Sequence, residues 1–291
     1  MTSAWLEWVN ALLRLVHVIA GIMWIGDSLL FMWIDSHLRP DPYSRKEVEG
    51  VTWLLHGGGY YQLEKRLLAP GRLPPYLRWF WLEATTTWLS GFLLLIVVYY
   101  LSASVLMVDR GAAALTPGQA VAVGLAILVG GWCVYDGLWR ALARRPGLAA
   151  GLSLLLLVAV NYAATHLLSA RAAFLHVGAL AGTIMAANVW VHIMLPQRQM
   201  LRAAREGRPV DYALGRHAKT RSTHNTYLTF PAIFLMISNH FPRIYGGPHQ
   251  WLVLTMICVV GAGVRHVMLV GRMTRSAGPQ GYNEMRESGG G

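Results

Sequence analysis

An all-α, polytopic transmembrane helix bundle of about seven spans is the fold class this sequence predicts, and three observations predict it. Hydrophobic residues make up 55% of the 291, charged residues only 13%, and there are 12 Trp. A soluble domain does not have that composition. Apolar runs of about 20 residues, the length that crosses the hydrocarbon core as a helix, recur along the chain. The Lys and Arg concentrate in alternate connections between those runs, which is how basic residues orient a membrane protein.

Taken in order, the first run is Val9–Ile34. The preceding MTSAWLEWVN lacks the basic stretch and small-residue cleavage site of a signal peptide, so this run is expected to stay in the mature protein. The 36–80 connection contains VTWLLHGGGYYQLEKRLL, whose Trp, Leu and Tyr suit an interfacial helix on the cytoplasmic face. Trp81–Val108 and Gln119–Leu138 are the second and third runs. Leu148–Leu168 and Ala172–Leu195 are joined only by SAR, so they should form an antiparallel hairpin. Thr223–His240 contains Pro231, which bends it, and His249–Gly271 closes the series. Residues 1–271 read as one transmembrane domain and 272–291, ending in ESGGG, as a flexible cytoplasmic tail.

Residues 36–80 carry seven Lys and Arg, 139–147 three, 196–222 seven and the tail three, whereas the alternate loops hold only Arg110, Arg171 and Arg243. That asymmetry places the N-terminus outside and the C-terminus in the cytoplasm. A net charge of +11 distributed this way serves orientation and phospholipid contact, which argues against a nucleic-acid partner. Cys133 and Cys258 stand singly inside apolar runs with no CxxC or CxxCH, so no metal site, disulfide framework or covalent haem site is expected from them.

Ionisable residues at membrane depth are costly and usually functional. Two layers result from placing each at about 1.5 Å per residue. The outer layer holds His17, His166, His176 and His240; the inner holds Asp27, Glu83, Asp136, His192, His224 and His266, with His56 in the adjoining HGGG loop. His17 has Gly21, Trp24 and Ser28 on its helical face, which leaves room for a macrocycle, and Arg14 stands ready for a propionate. Any two of the four outer histidines would serve as axial ligands of a haem b. His17 stands first, and His17 with His176 is the pair put forward for the iron. Ordinary packing, or a seat among lipid headgroups as for His37, His240 and His249, is the alternative use of such imidazoles.

The inner layer mixes carboxylate, imidazole, amide and hydroxyl groups: Asp27, Glu83 with Thr85 to Thr87, Asn188, His192, and His224-Asn225-Thr226-Tyr227. That mixture suits a polar planar ligand, with Glu83 and His224 able to move a proton and Asn225, Thr226, Tyr227, His56 and Asp27 able to bind. The opposing possibilities are that these groups satisfy one another, and that Glu83 pairs with Arg78. His224 and His240 lie about 24 Å apart on a continuous helix, so HNTY belongs to the inner chamber and SNH to the outer layer.

HVIAGIMWIGDSLLFMWID, LLHGGGYYQLEKRLLAP, WLEATTTWLSGFLLLIVVYY, GTIMAANVWVHIMLPQ and STHNTYLTFPAIFLMISNH, in this order, resemble the motifs of the membrane domain of the cytochrome c-coupled urate oxidases, or urate hydroxylases. The resemblance implies a membrane-bound oxidoreductase of purine catabolism that converts urate to 5-hydroxyisourate and passes electrons through haem to a c-type cytochrome. It also implies the bacterial cytoplasmic (inner) membrane. Fused members of that family carry one more span and a CxxCH cytochrome, where this chain has RMTRSAGPQGYNEMRESGGG. Electron exit is therefore expected through a separate cytochrome, unless the chain is truncated or its activity differs. A purine-anion transporter and a non-catalytic haem b subunit are the rival classes; the missing inverted repeat argues against the first.

Overall fold

The computed structural model describes residues 4–67, 70, 71, 73 and 76–273. Its helices are α1 Ala4–His37, α2 Leu82–Leu94, α3 Ala103–Leu106, α4 Pro117–Ala141, α5 Pro146–Leu167, α6 Ala170–Ala187, α7 Leu195–Arg205, α8 Tyr212–Ser238, α9 Pro242–Tyr245 and α10 Gln250–Met273. Two π-helical segments, Leu95–Tyr100 and Asn188–Met194, continue α2 and α6, and the second leads without a break into α7. Among the described residues six helical stretches are long and apolar enough to cross a membrane: Ala4–His37, Leu82–Tyr100, Pro117–Ala141, Pro146–Leu167, Ala170–Arg205 and Gln250–Met268. The chain is an all-α polytopic bundle, as its apolar runs predict. Helix α8 is a seventh long helix, too polar to meet the same measure because it carries Arg221, His224, Asn225, Thr226 and Thr229. Four of those five are buried against protein, where lipid does not meet them.

Local chemistry sets the ends of these helices. Thr116 and Gln119 form a reciprocal capping box ahead of Pro117 at the start of α4. Ser169 caps α6 by accepting from the Ala172 amide, and it also donates to the Leu106 carbonyl, which fixes α3 against the α5–α6 turn. Leu168 and Ser169 are all that separates α5 from α6, so the predicted antiparallel hairpin forms. Helix α6 is the centre of the bundle, with Phe174, His176 and Ala186 fully buried. Close approach by α4 depends on Gly124 and Gly131, where a Cβ would lie 2.6 Å from His176 Nε2 and 2.7 Å from Leu180 Cδ1. Helix α10 reaches α8 in the same way, through Gly261 against the ring of Pro231.

The 36–80 connection departs from expectation. In place of an interfacial helix it forms an antiparallel hairpin, β1 Val48–His56 with β2 Gly59–Arg66. The reason is in HGGG: Gly57 and Gly58 adopt φ of +57° and +79°, the left-handed pair that a two-residue hairpin turn needs and a helix excludes. Arg45 bridges Asp41 and Glu64 at the base, and its hydrogen bonds hold both carboxyls below their ordinary range. Lys65 pairs with Asp35 at 3.3 Å, tying the hairpin to the end of α1. Of the expected tail, residues 274–291 lie outside the described residues, and 272–273 belong to the last turn of α10.

Candidate functional site

Helix α1 presents Trp24, Asp27, Ser28, Phe31 and Asp35 at the spacing of one helical face, with Trp24 packed into the core beside Ala84 and Val189 and Phe31 against Phe80. It borders a cavity of about 780 Å³ closed by Arg78, Trp79 and Trp81 before α2, by Val189 and Ile193 of the second π segment, by Lys219, Ser222, Asn225 and Thr226 of α8, and by Arg265 of α10. Tryptophan and phenylalanine walls with a few polar groups are the make-up of a site for a flat organic ligand.

Of the residues the sequence singles out as substrate contacts, Asp27, Asn225 and Thr226 line this cavity. Glu83 does not: it is buried behind the wall, accepting from Arg78 Nη2 at 2.8 Å, with its second oxygen sealed from any partner. The cavity meets Arg78 instead. His224 lies on the opposite side of α8, where its Nδ1 meets the Tyr135 hydroxyl at 2.7 Å and its ring packs 4.1 Å from that of Trp139. Tyr227 bonds His266 at 2.9 Å and offers its ring face to Arg265 at 3.9 Å. His56 ends β1 at the exposed hairpin tip, about 26 Å of strand from its base. The tight turn that places it there is the hairpin that replaced the expected helix.

Sequence reasoning passed over Arg265, although an Arg within the last apolar run GAGVRHVM was the available signal. It is 5% exposed, and its Nε donates to Thr226 Oγ1 at 2.7 Å. Among the described residues no carboxylate forms an ion pair with it. Lys219, at the cavity mouth, pairs with Asp35.

The other inner polar residues assemble on the far side of α8. Asp136 Oδ1 accepts from His192 Nε2 at 2.6 Å and from Arg221 Nη2 at 3.0 Å, and its Oδ2 accepts from Arg140 Nε at 2.7 Å. His192 Nδ1 meets His217 Nε2 at 3.1 Å. With both imidazoles neutral, every contact is satisfied if His217 donates to His192 and His192 donates to Asp136. Asn188 donates to Tyr135 and to Asn225, and Asn225 donates to the Met185 carbonyl. The π segment brings Asn188 and His192 to one side, facing the adjacent Tyr135 and Asp136 of α4.

The outer histidines do not converge. His166 is exposed and stacks on Tyr162, and His240 is exposed at the end of α8. His17 is held at the level of Thr87 and Gly91, while His176 packs beside Tyr99 and Tyr100, about two turns further along. They are not opposed across a gap the size of one iron, so the expected axial pair is not formed. Depths counted from span ends miss this, because α1 begins at Ala4, ahead of the expected Val9. His176 Nε2 is also closed off by the Gly124 backbone. His17 keeps the donor chemistry of a haem ligand: Nδ1 is 2.8 Å from the Thr87 carbonyl, which fixes the tautomer, the ring rests on Gly91, and Nε2 keeps its lone pair, whereas His166, whose Nδ1 meets the Tyr162 carbonyl at 2.7 Å in the same way, is exposed at its helix end. Among the described residues no group of three or more His, Cys, Asp or Glu is arranged to hold a metal ion.

No curated protein and no solved structure matches the chain. The model of the urate oxidase N-terminal family matches residues 3–280, which takes in both the cavity and the Asp136 cluster, and the chain belongs to that family.

Proposed function

We propose that this chain oxidises urate to 5-hydroxyisourate in the cavity between α1, α8 and α10, and that the electrons leave outward to a separate c-type cytochrome. The observation that carries the reading is the cavity itself: in a member of the urate oxidase N-terminal family, aromatic walls enclose an amide, a hydroxyl, a carboxylate and a buried guanidinium. Urate is flat, anionic near neutral pH and edged by amide-like donors and acceptors, which those groups complement.

The reaction adds the oxygen of one water to urate and releases two electrons and two protons. Asp27 is the residue for the proton: it lines the cavity with no direct ion pair among the described residues, whereas Asp35 is held by Lys65 and Lys219. Trp24, Phe31 and Trp81 keep the ring in place and limit water. His17 would hold a haem, and a haem there supplies single-electron transfer. The Lys- and Arg-rich 36–80 and 196–222 connections support a cavity facing the cytoplasm and a site in the bacterial inner membrane, among its lipids.

The test is an anaerobic incubation of the purified full chain with urate and a c-type cytochrome. Two cytochromes should be reduced for each 5-hydroxyisourate formed. Urate returned unchanged by haem-loaded protein would refute the enzyme reading. His17→Ala should lose most of the haem measured as its pyridine complex, and full haem content in that variant would remove His17 as a ligand.

A further inference from the structure

We propose that Arg265 is the residue that selects an anionic oxopurine, by presenting the free edge of its guanidinium to the ligand in the cavity. The inference rests on the cavity being the substrate site. Three cations line that space, and two of them are already committed: Arg78 to Glu83 and Lys219 to Asp35. Arg265 alone of the three has no carboxylate among the described residues. A guanidinium taken out of water without an anion is costly, and such a charge is kept where something else supplies the anion.

The way Arg265 is held also defines what it binds. Thr226 takes the Nε hydrogen at 2.7 Å, and the ring of Tyr227 lies 3.9 Å from the guanidinium carbon. Two neighbouring residues of α8 thus fix the plane and one edge of the group. Apart from Tyr227, whose hydroxyl and ring both act on the guanidinium, neither Nη has a protein partner among the described residues, and neither is sealed from space as Arg221 Nη1 is. The remaining edge offers two parallel N–H donors, a fork matched to a pair of acceptors side by side on a planar anion. An ionised oxopurine edge, with a carbonyl oxygen next to a deprotonated ring nitrogen, is such a pair. A Lys in this place has one point charge and no fork.

The experiment measures radiolabelled urate binding to the detergent-purified full chain by equilibrium dialysis. Arg265→Lys should weaken binding about tenfold and Arg265→Gln about a hundredfold, the loss expected when charge-assisted hydrogen bonds are removed. Surface Arg208→Gln should bind as the wild type does. Folding of each variant is checked by its thermal transition. A second measurement needs no variant: wild-type protein should bind xanthine more tightly at a pH where it is ionised than where it is neutral. Equal urate affinity in Arg265→Lys and Arg265→Gln, or equal binding of neutral and ionised xanthine, overturns the role of Arg265 and leaves the urate reading standing. Wild-type protein that binds ionised xanthine but not urate, with the same Arg265→Lys loss, supports Arg265 and overturns urate as substrate. Failure of the wild type to bind any oxopurine anion overturns both.

Discussion

The two sides of α8 make opposite use of polar residues at membrane depth. At about 100° per residue, Lys219, Ser222 and Thr226 fall on one face and His217, Arg221 and His224 on the other, roughly half a turn away. The first face borders the cavity, with Arg265 beside it lacking an acidic partner among the described residues. The second is closed: Asp136 binds three cationic or imidazole groups, and His224 is tied to Tyr135. Burial alone therefore does not mark a binding residue. What separates the two faces is whether the hydrogen-bonding capacity is used up by the protein, because a group already satisfied has little to gain from a ligand.

The largest effect should come from the closed face. Asp136→Ala leaves Arg221 and His192 buried, and Arg140 beside them, with no acceptor. Removing one partner of a buried ion pair costs about 3–5 kcal/mol, so the variant should melt far below wild type or fail to accumulate. Thermal unfolding in detergent reads this directly. A wild-type transition in Asp136→Ala would mean that water reaches the cluster and that the contrast between the faces is false.

Asn225 sits between the faces, lining the cavity while its amide bonds Asn188 and the Met185 carbonyl. Asn225→Leu should leave an Asn188 hydrogen without its acceptor and take from the Met185 carbonyl its side-chain donor, though that carbonyl still accepts from the Asn188 amide, costing about 1–3 kcal/mol of stability. Urate affinity should fall with it, because α8 is then no longer pinned to the π segment. Loss of stability with unchanged affinity would assign Asn225 wholly to the closed face.

The sequence made the spans legible because membrane thickness leaves a length signal in apolar residues. It also exposed most of the inner polar residues, since each stands out against its run. What it hid was helical phase. His224, Asn225 and Thr226 are contiguous in HNTY, yet consecutive residues turn by about 100°, so His224 and Thr226 face nearly opposite directions. Glu83 leaves two uses open in the sequence, proton carrier or partner of Arg78, and the structure forms the second, across an irregular stretch with no periodicity to decide between them. The HGGG hairpin was obscured by the Trp and Tyr around it, which read as an interfacial helix until the left-handed glycines are seen. Arg265 escaped because its meaning lies in a missing partner, and that is a property of three dimensions.

His224→Ala sharpens the phase argument. It removes the bond to Tyr135 and the packing on Trp139, which should cost about 1–2 kcal/mol of stability. Urate turnover per folded molecule should stay within about threefold of wild type, as no atom of His224 borders the cavity. A hundredfold loss of turnover at normal stability and haem content would restore His224 to the chemistry and place the substrate on the α4 side.

The smallest effect belongs to the open face. Lys219 lies at the cavity mouth, 58% exposed along its side chain, in an ion pair with Asp35, which Lys65 also contacts. Exposed pairs contribute about 0–1 kcal/mol, and Asp35 keeps a cation when Lys219 is replaced, so Lys219→Met should hardly move the melting temperature. Its consequence should appear in association. A positive charge at the mouth of a low-dielectric cavity raises the local concentration of an anion, and salt screens that attraction over about 10 Å at 0.1 M. Lys219→Met should therefore raise the KM for urate a few-fold at low ionic strength, with kcat unchanged, and the difference should vanish in about 0.5 M salt. A KM difference that persists at high salt would mean that Lys219 touches the bound ligand, and a fall in kcat would place it beside the reacting atoms. Either result would move Lys219 from the entrance of the open face into its binding surface, next to Arg265.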